Sequence, residues 1–80
     1  MNASKKPFRF FRDRDNGRLH MWNRHQVTVS EVKGAFHKLI NQYRDGNAWV
    51  RTCTAANGQK MEIVYLDKRD HYFIITAYYL

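Results

Sequence analysis

The sequence predicts a small two-layer α+β domain, with helices packed on a small antiparallel sheet in the order β-α-α-β-β-β. Three observations lead there. A helix-start signal at Thr28 opens an apolar stripe of helical spacing, and three strand-like runs separated by short turns follow it. The third is length: 80 residues suffice for one modest core, because a chain this short buries only about 60 to 65% of its unfolded surface. Residues 1–80 therefore form a single domain, with 1–7 expected as a flexible N-terminal arm.

The first element is Phe8-Arg9-Phe10-Phe11-Arg12, where aromatic and basic residues alternate as in a short strand or extended arm. The polar run Asp13 to Gly17 ends it. Leu19 to His25 follows as a short helix, with Leu19 and Trp22 three apart and so on one face. Thr28-Val29-Ser30-Glu31 then has the S/T-x-x-E form, in which a hydroxyl and a carboxylate satisfy the free amides of a helix start. Val27 before the cap and Val32 after it supply an apolar staple. Val32, Ala35, Phe36, Leu39, Ile40 and Tyr43 recur at spacings of three and four, which predicts one helix ending near Asp45-Gly46.

Three strands are expected in the remainder: Ala48 to Thr54, Lys60 to Leu66 and His71 to Tyr79. Their short connections imply antiparallel neighbours, and Asn57-Gly58 is a hairpin signal because both residues tolerate positive φ. In the second of these strands Met61, Ile63 and Tyr65 share one face, while Glu62, Val64 and Leu66 share the other. The last is apolar on both faces, which suits a central or well-covered position. Such a layer leaves one sheet face open, and function is expected there.

Fourteen Lys and Arg against seven Asp and Glu give a net charge of +7. Residues 1–25 hold seven basic groups and two acidic ones, a net of +5. A concentrated positive field of this kind raises the local concentration of polyanions, although such a surface also serves plain solubility. The lone Cys53 excludes an internal disulfide and a cysteine-based zinc cluster, which fits a reducing compartment. No stretch approaches the roughly 20 apolar residues of a membrane helix, and the start MNASKKPFRFFR lacks the apolar core of a signal peptide. The cytoplasm is the expected location.

The four histidines, His20, His25, His37 and His71, lack the tight pair spacing of metal ligands, so neither a metal nor another cofactor is expected. Ser4 and Ser30 are poorly placed for a serine hydrolase, and no Gly-rich phosphate loop is present. Glu31 is explained by its cap, and Cys53 by burial in a strand. What remains is His20, Arg24, His25, Arg51, Lys60, His71, Tyr78 and Tyr79, a set that suits metal-free RNA cleavage. That reaction needs a base for the 2′-hydroxyl proton, cations for the phosphate and an acid for the leaving 5′-oxygen. Histidine serves either proton role near neutral pH, arginine offers a planar fork to phosphate, and tyrosine donates a hydrogen bond or stacks on a base.

Arg24-His25-Gln26-Val27-Thr28-Val29-Ser30-Glu31-Val32 resembles the Lys-His-Gly-Val-Ser-x-x-Glu-Ala/Val segment of BrnT-type toxins, small ribonucleases of bacterial toxin–antitoxin pairs. Phe11-Arg12-Asp13 is similar to that family's opening strand and turn. Gly58 to Tyr65 resembles its middle hairpin, and Ile74-Ile75-Thr76-Ala77 its closing strand. A related family of small domains, with His-x-x-x-Arg before the helix and a closing Ile-Thr-Ala-Tyr strand, is matched by His20-Met21-Trp22-Asn23-Arg24 and Thr76-Ala77-Tyr78. Arg24 stands where the toxins have Lys, Gln26 where they have Gly, and Tyr78 where they have a closing Arg.

The resemblance implies a RelE/barnase-like fold and a metal-independent endoribonuclease toxin of a type II pair, cutting RNA by 2′-hydroxyl attack. It implies RNA and a cognate antitoxin as partners. Under it His25 or His20 handles protons, Arg24 and Arg51 hold the scissile phosphate, and Tyr78 or Tyr79 positions the nucleotide. Lys60, Tyr79, Arg9, Arg12 and Arg18 are the expected RNA-binding residues. The alternative is a non-catalytic basic module of the same fold that binds RNA, DNA or a protein.

Overall fold

The computed structural model describes residues 6–80. Two helices and five strands follow one another as β1 Phe8–Phe10, α1 His20–His25, α2 Val29–Ala35, β2 Leu39–Asp45, β3 Ala48–Thr54, β4 Lys60–Asp67 and β5 Tyr72–Tyr79. The chain is a small α+β domain. Residues 1–5 of the expected arm lie outside the described residues. Lys6 and Pro7 are held: Lys6 Nζ lies 2.5 Å from Asp67 Oδ1, and the Pro7 carbonyl accepts the Tyr72 N–H at 3.0 Å.

The helix start at Thr28 forms as a reciprocal pair. The Glu31 N–H donates to Thr28 Oγ1 (3.2 Å), and the Thr28 N–H donates to Glu31 Oε1 (2.8 Å). Val27 and Val32 are both fully buried beside it. α1 ends where Gln26 takes the left-handed conformation, φ +55, and Val27 N–H reaches back to Met21 O.

The expected long helix is the main correction. α2 stops at Ala35, and Leu39–Asp45 is a strand paired antiparallel with β3. Val32, Ala35 and Phe36 are fully buried, whereas Leu39, Ile40 and Tyr43 are 47%, 51% and 51% exposed. The second half of the apolar stripe thus has no helical packing to sustain it. Gly34 weakens the helix before that point. Gly46 at φ +63 is the first residue of the two-residue loop Gly46-Asn47, the geometry of a tight hairpin whose twist suits the flanking strands. Six residue pairs of β2 and β3 gain ladder partners by this arrangement.

The sheet order is β1-β5-β4-β3-β2. It is mixed, not antiparallel as expected: β1 runs parallel to β5, with Phe8 opposite Tyr72 and Phe10 opposite Ile74. Between those two strands the chain passes through the helices and then zigzags back across the sheet from its far edge. β5 consequently lies between β1 and β4, which accounts for its apolar character on both faces.

Both helices contribute to one core with a single face of the sheet. Met21, Val27, Val32, Ala35 and Phe36 meet Cys53, Met61, Ile63, Tyr65, Ile74 and Ala77. Phe36 is its centre, with the rings of Phe8, Tyr65 and Tyr72 at 5.0, 5.0 and 4.8 Å. Strand alternation turns Tyr43, Thr52, Glu62, Val64 and Tyr78 to the other face. No helix among the described residues is long and apolar enough to cross a membrane.

Candidate functional site

β1 pairs with β5 only as far as Ile74, and α1 packs against β5. Met21 anchors α1 in the core. His25, four residues further on and so on the same side of the helix, lies with its ring 5.2 Å from that of Tyr78, tilted by 53°. Cross-strand register places Glu62 directly opposite Tyr78 on the face away from the core. The Tyr78 hydroxyl donates to Glu62 Oε1. That hydrogen bond, followed by burial and the Glu62 charge, pushes the phenol up to about 12. Tyr78 therefore stays protonated throughout the physiological range, a fixed neutral ring beside an exposed imidazole.

Of the five residues expected to be catalytic, His25 and Tyr78 meet. Arg24 is the neighbour of His25 in the last turn of α1, exposed, and its charge acts on Asp13. His20 is engaged elsewhere: Nδ1 lies 2.8 Å from Asp13 Oδ1. Asn23 Nδ2 donates to the other oxygen at 2.8 Å. Asn23, then His20, hold the Asp13 carboxyl below the usual carboxylate range. The group braces the turn between β1 and α1.

Arg51 opposes Ile63 and so points to the helix-bearing face, away from Tyr78. Its Nη1 donates to the Phe36 carbonyl at 2.7 Å, Nε donates to Gln42 Oε1 at 3.2 Å, and the guanidinium lies 4.2 Å from the Phe36 ring centre. It seals the end of α2 onto the sheet. Tyr79 also faces the helices, its hydroxyl donating to Glu31 Oε2 at 2.6 Å.

Among the expected RNA-binding residues, Arg9 is exposed on β1 opposite Phe73, and Lys60 is exposed at the start of β4. Arg12 and Arg18 border a groove beside Trp22. His71 pairs with Asp70, Nδ1 to Oδ1 at 2.7 Å. Among the described residues no group of three or more His, Cys, Asp or Glu side chains converges as metal ligands do.

Glu62 is a residue of this cluster that spacing along the chain does not single out. Alternation put Glu62 on the outer face of its strand, but only the register of β4 against β5 pairs it with Tyr78. Comparison with protein-family models, with curated proteins and with solved structures gives no match.

Proposed function

We propose that this chain is a metal-independent endoribonuclease of toxin type, acting in the cytoplasm and held silent by a cognate antitoxin, with a fold of the RelE/barnase kind. The observation that carries this reading is His25 lying against Tyr78 at the edge of the uncovered sheet face, next to Arg24 and at the end of the most basic part of the sequence. An exposed imidazole beside a cation and an aromatic ring supplies the base and the phosphate-holding charge of 2′-hydroxyl attack.

His25 takes the 2′-hydroxyl proton as the 2′-oxygen bonds to phosphorus, and the 5′-oxygen leaves on the opposite side of the phosphorus, taking its proton from water. The products are a 2′,3′-cyclic phosphate and a free 5′-hydroxyl, with the protein unchanged. Arg24 holds the phosphate oxygens. Tyr78, fixed by Glu62, orients the imidazole and offers its face to a base. Arg51, His20 and Tyr79, engaged as described, leave these roles to His25, Arg24 and Tyr78.

A second reading draws on the same engagements. With Arg51 bound to Phe36 O and the Tyr78 hydroxyl to Glu62, the face suits a basic module that binds RNA, DNA or a protein without cutting. Incubating the purified chain with RNA in the presence of a chelator separates the two. Cleavage lost in His25→Ala and weakened in Arg24→Ala supports the enzyme. Binding without cleavage, indifferent to His25→Ala, replaces it with the module. A neighbouring reading frame for an acidic or DNA-binding partner would identify the antitoxin.

A further inference from the structure

We propose that the groove beside Trp22 is a nucleotide subsite, in which the indole stacks on a base of single-stranded RNA while Arg12 and Arg18 hold its phosphate. The inference rests on the RNA reading above and names where a second nucleotide lies. The groove is a shallow, open one of about 450 Å³, lined by Leu19, Val27 and Val29 together with Trp22 and the two arginines. That volume falls within the roughly 300–1,000 Å³ of clefts that take small ligands.

Trp22 is 43% exposed although Met21, its neighbour on α1, is fully packed. An indole left open beside apolar side chains is a ready platform for stacking, and stacking on an aromatic face is available to every base. The two arginines are presented by a braced turn: Asp13 N–H donates to Arg18 O (2.9 Å), Gly17 N–H to Asp13 O (2.9 Å), and Arg12 Nη1 to Gly17 O (2.8 Å). The nearby carboxylate, Asp13, is turned to His20 and Asn23. Both arginines are exposed and, among the described residues, neither is in a salt bridge; Arg18 and the part of the Arg12 fork not bound to Gly17 O are left to meet a phosphate. An acidic peptide would use the cations and leave the indole idle; a nucleotide uses both.

Trp22 and His25 are three residues apart, neighbours on the surface of α1. A strand whose scissile phosphate lies at His25 therefore places an adjacent nucleotide in this groove. Base preference then follows from the Trp22 platform and the groove walls.

The test uses Trp49→Phe, which makes Trp22 the sole indole, titrated with a short 2′-O-methyl oligouridylate. That strand lacks the attacking hydroxyl, so binding is read whether or not the chain cleaves RNA. Saturable quenching of Trp22 is expected. By anisotropy of a labelled strand, Trp22→Ala lowers affinity about tenfold and Arg18→Gln about fivefold, while Trp22→Phe, which keeps a ring, loses less than Trp22→Ala. Quenching with no cleavage of natural RNA supports the groove and removes only the enzyme reading. Cleavage of natural RNA with no quenching overturns the groove alone. Equal quenching by polyglutamate or polyphosphate of matched charge also overturns it, since the site then reads charge and not a base.

Discussion

The Tyr79 hydroxyl donates to Glu31 Oε2 at 2.6 Å, across 48 positions of sequence, while the other oxygen of the same carboxylate accepts the Thr28 N–H at 2.8 Å. One side chain thus starts α2 and fastens it to the last strand. Tyr79→Phe is expected to destabilise the fold by about 1.5 kcal/mol, the lower end of the net worth of a hydrogen bond to a charged group. Glu31→Ala, which also removes the cap, is expected to cost about 1 kcal/mol more. Urea unfolding of both single variants and the double variant checks this; a double variant no worse than Glu31→Ala shows that Tyr79 acts only through Glu31.

The same carboxylate makes stability depend on acid. Hydrogen bonds from Tyr79, then from Thr28, hold the Glu31 carboxyl below the usual range. Its folded-state value lies below the unfolded one, so its contribution is full above the unfolded value and disappears as pH falls through the folded one. Urea midpoints measured from neutral pH down to pH ~3 should fall more steeply for the natural chain than for Glu31→Gln.

Tyr78 gives the opposite dependence. With the phenol raised to about 12 from an ordinary 10.0, the folded chain keeps a proton that the unfolded chain has lost. Its contribution is full below the unfolded value and is lost as pH rises toward 12. Ultraviolet titration should show Tyr78 ionising late, and Glu62→Gln should bring it earlier because the carboxylate is the leading cause. Unchanged titration in Glu62→Gln would remove Glu62 as the group that fixes Tyr78.

Arg51 is expected to act on stability before chemistry. Arg51→Met loses the hydrogen bond to Phe36 O and the stacking on its ring, at a cost of about 1 to 3 kcal/mol. RNA affinity per folded molecule should stay as it was. A variant of full stability that no longer binds or cuts RNA would return Arg51 to the site.

Gln26 occupies the left-handed region at φ +55, where a side chain costs about 1 to 2 kcal/mol. Gln26→Gly relieves that strain and gives back about 0.5 to 1 kcal/mol to unfolded-chain entropy, for an expected net gain of about 0.5 kcal/mol. Gln26→Val, β-branched at the same backbone angle, should lower the melting temperature. The two shifts having the same sign would show that the turn relaxes around its occupant.

What the residues determined unaided were features whose partners lie within a few positions. The Thr28–Glu31 cap, the Val27–Val32 staple and the alternation of Met61, Ile63 and Tyr65 into the core are all present. Each depends on local geometry that any copy of the segment adopts. Leu39, Ile40 and Tyr43, expected in the helix because their spacing continues its stripe, lie in a strand, a state that the same spacing also fits. The decision came from β3, which needed an edge partner, and from Gly46, which turns the chain back toward it. The parallel pairing of β1 with β5, the sheet face taken by Arg51 and the meeting of His25, Tyr78 and Glu62 were likewise settled between distant segments. A one-residue change of register would send Arg51, Glu62 or Tyr78 to the other face, so only the assembled sheet determines which of them share a site with His25.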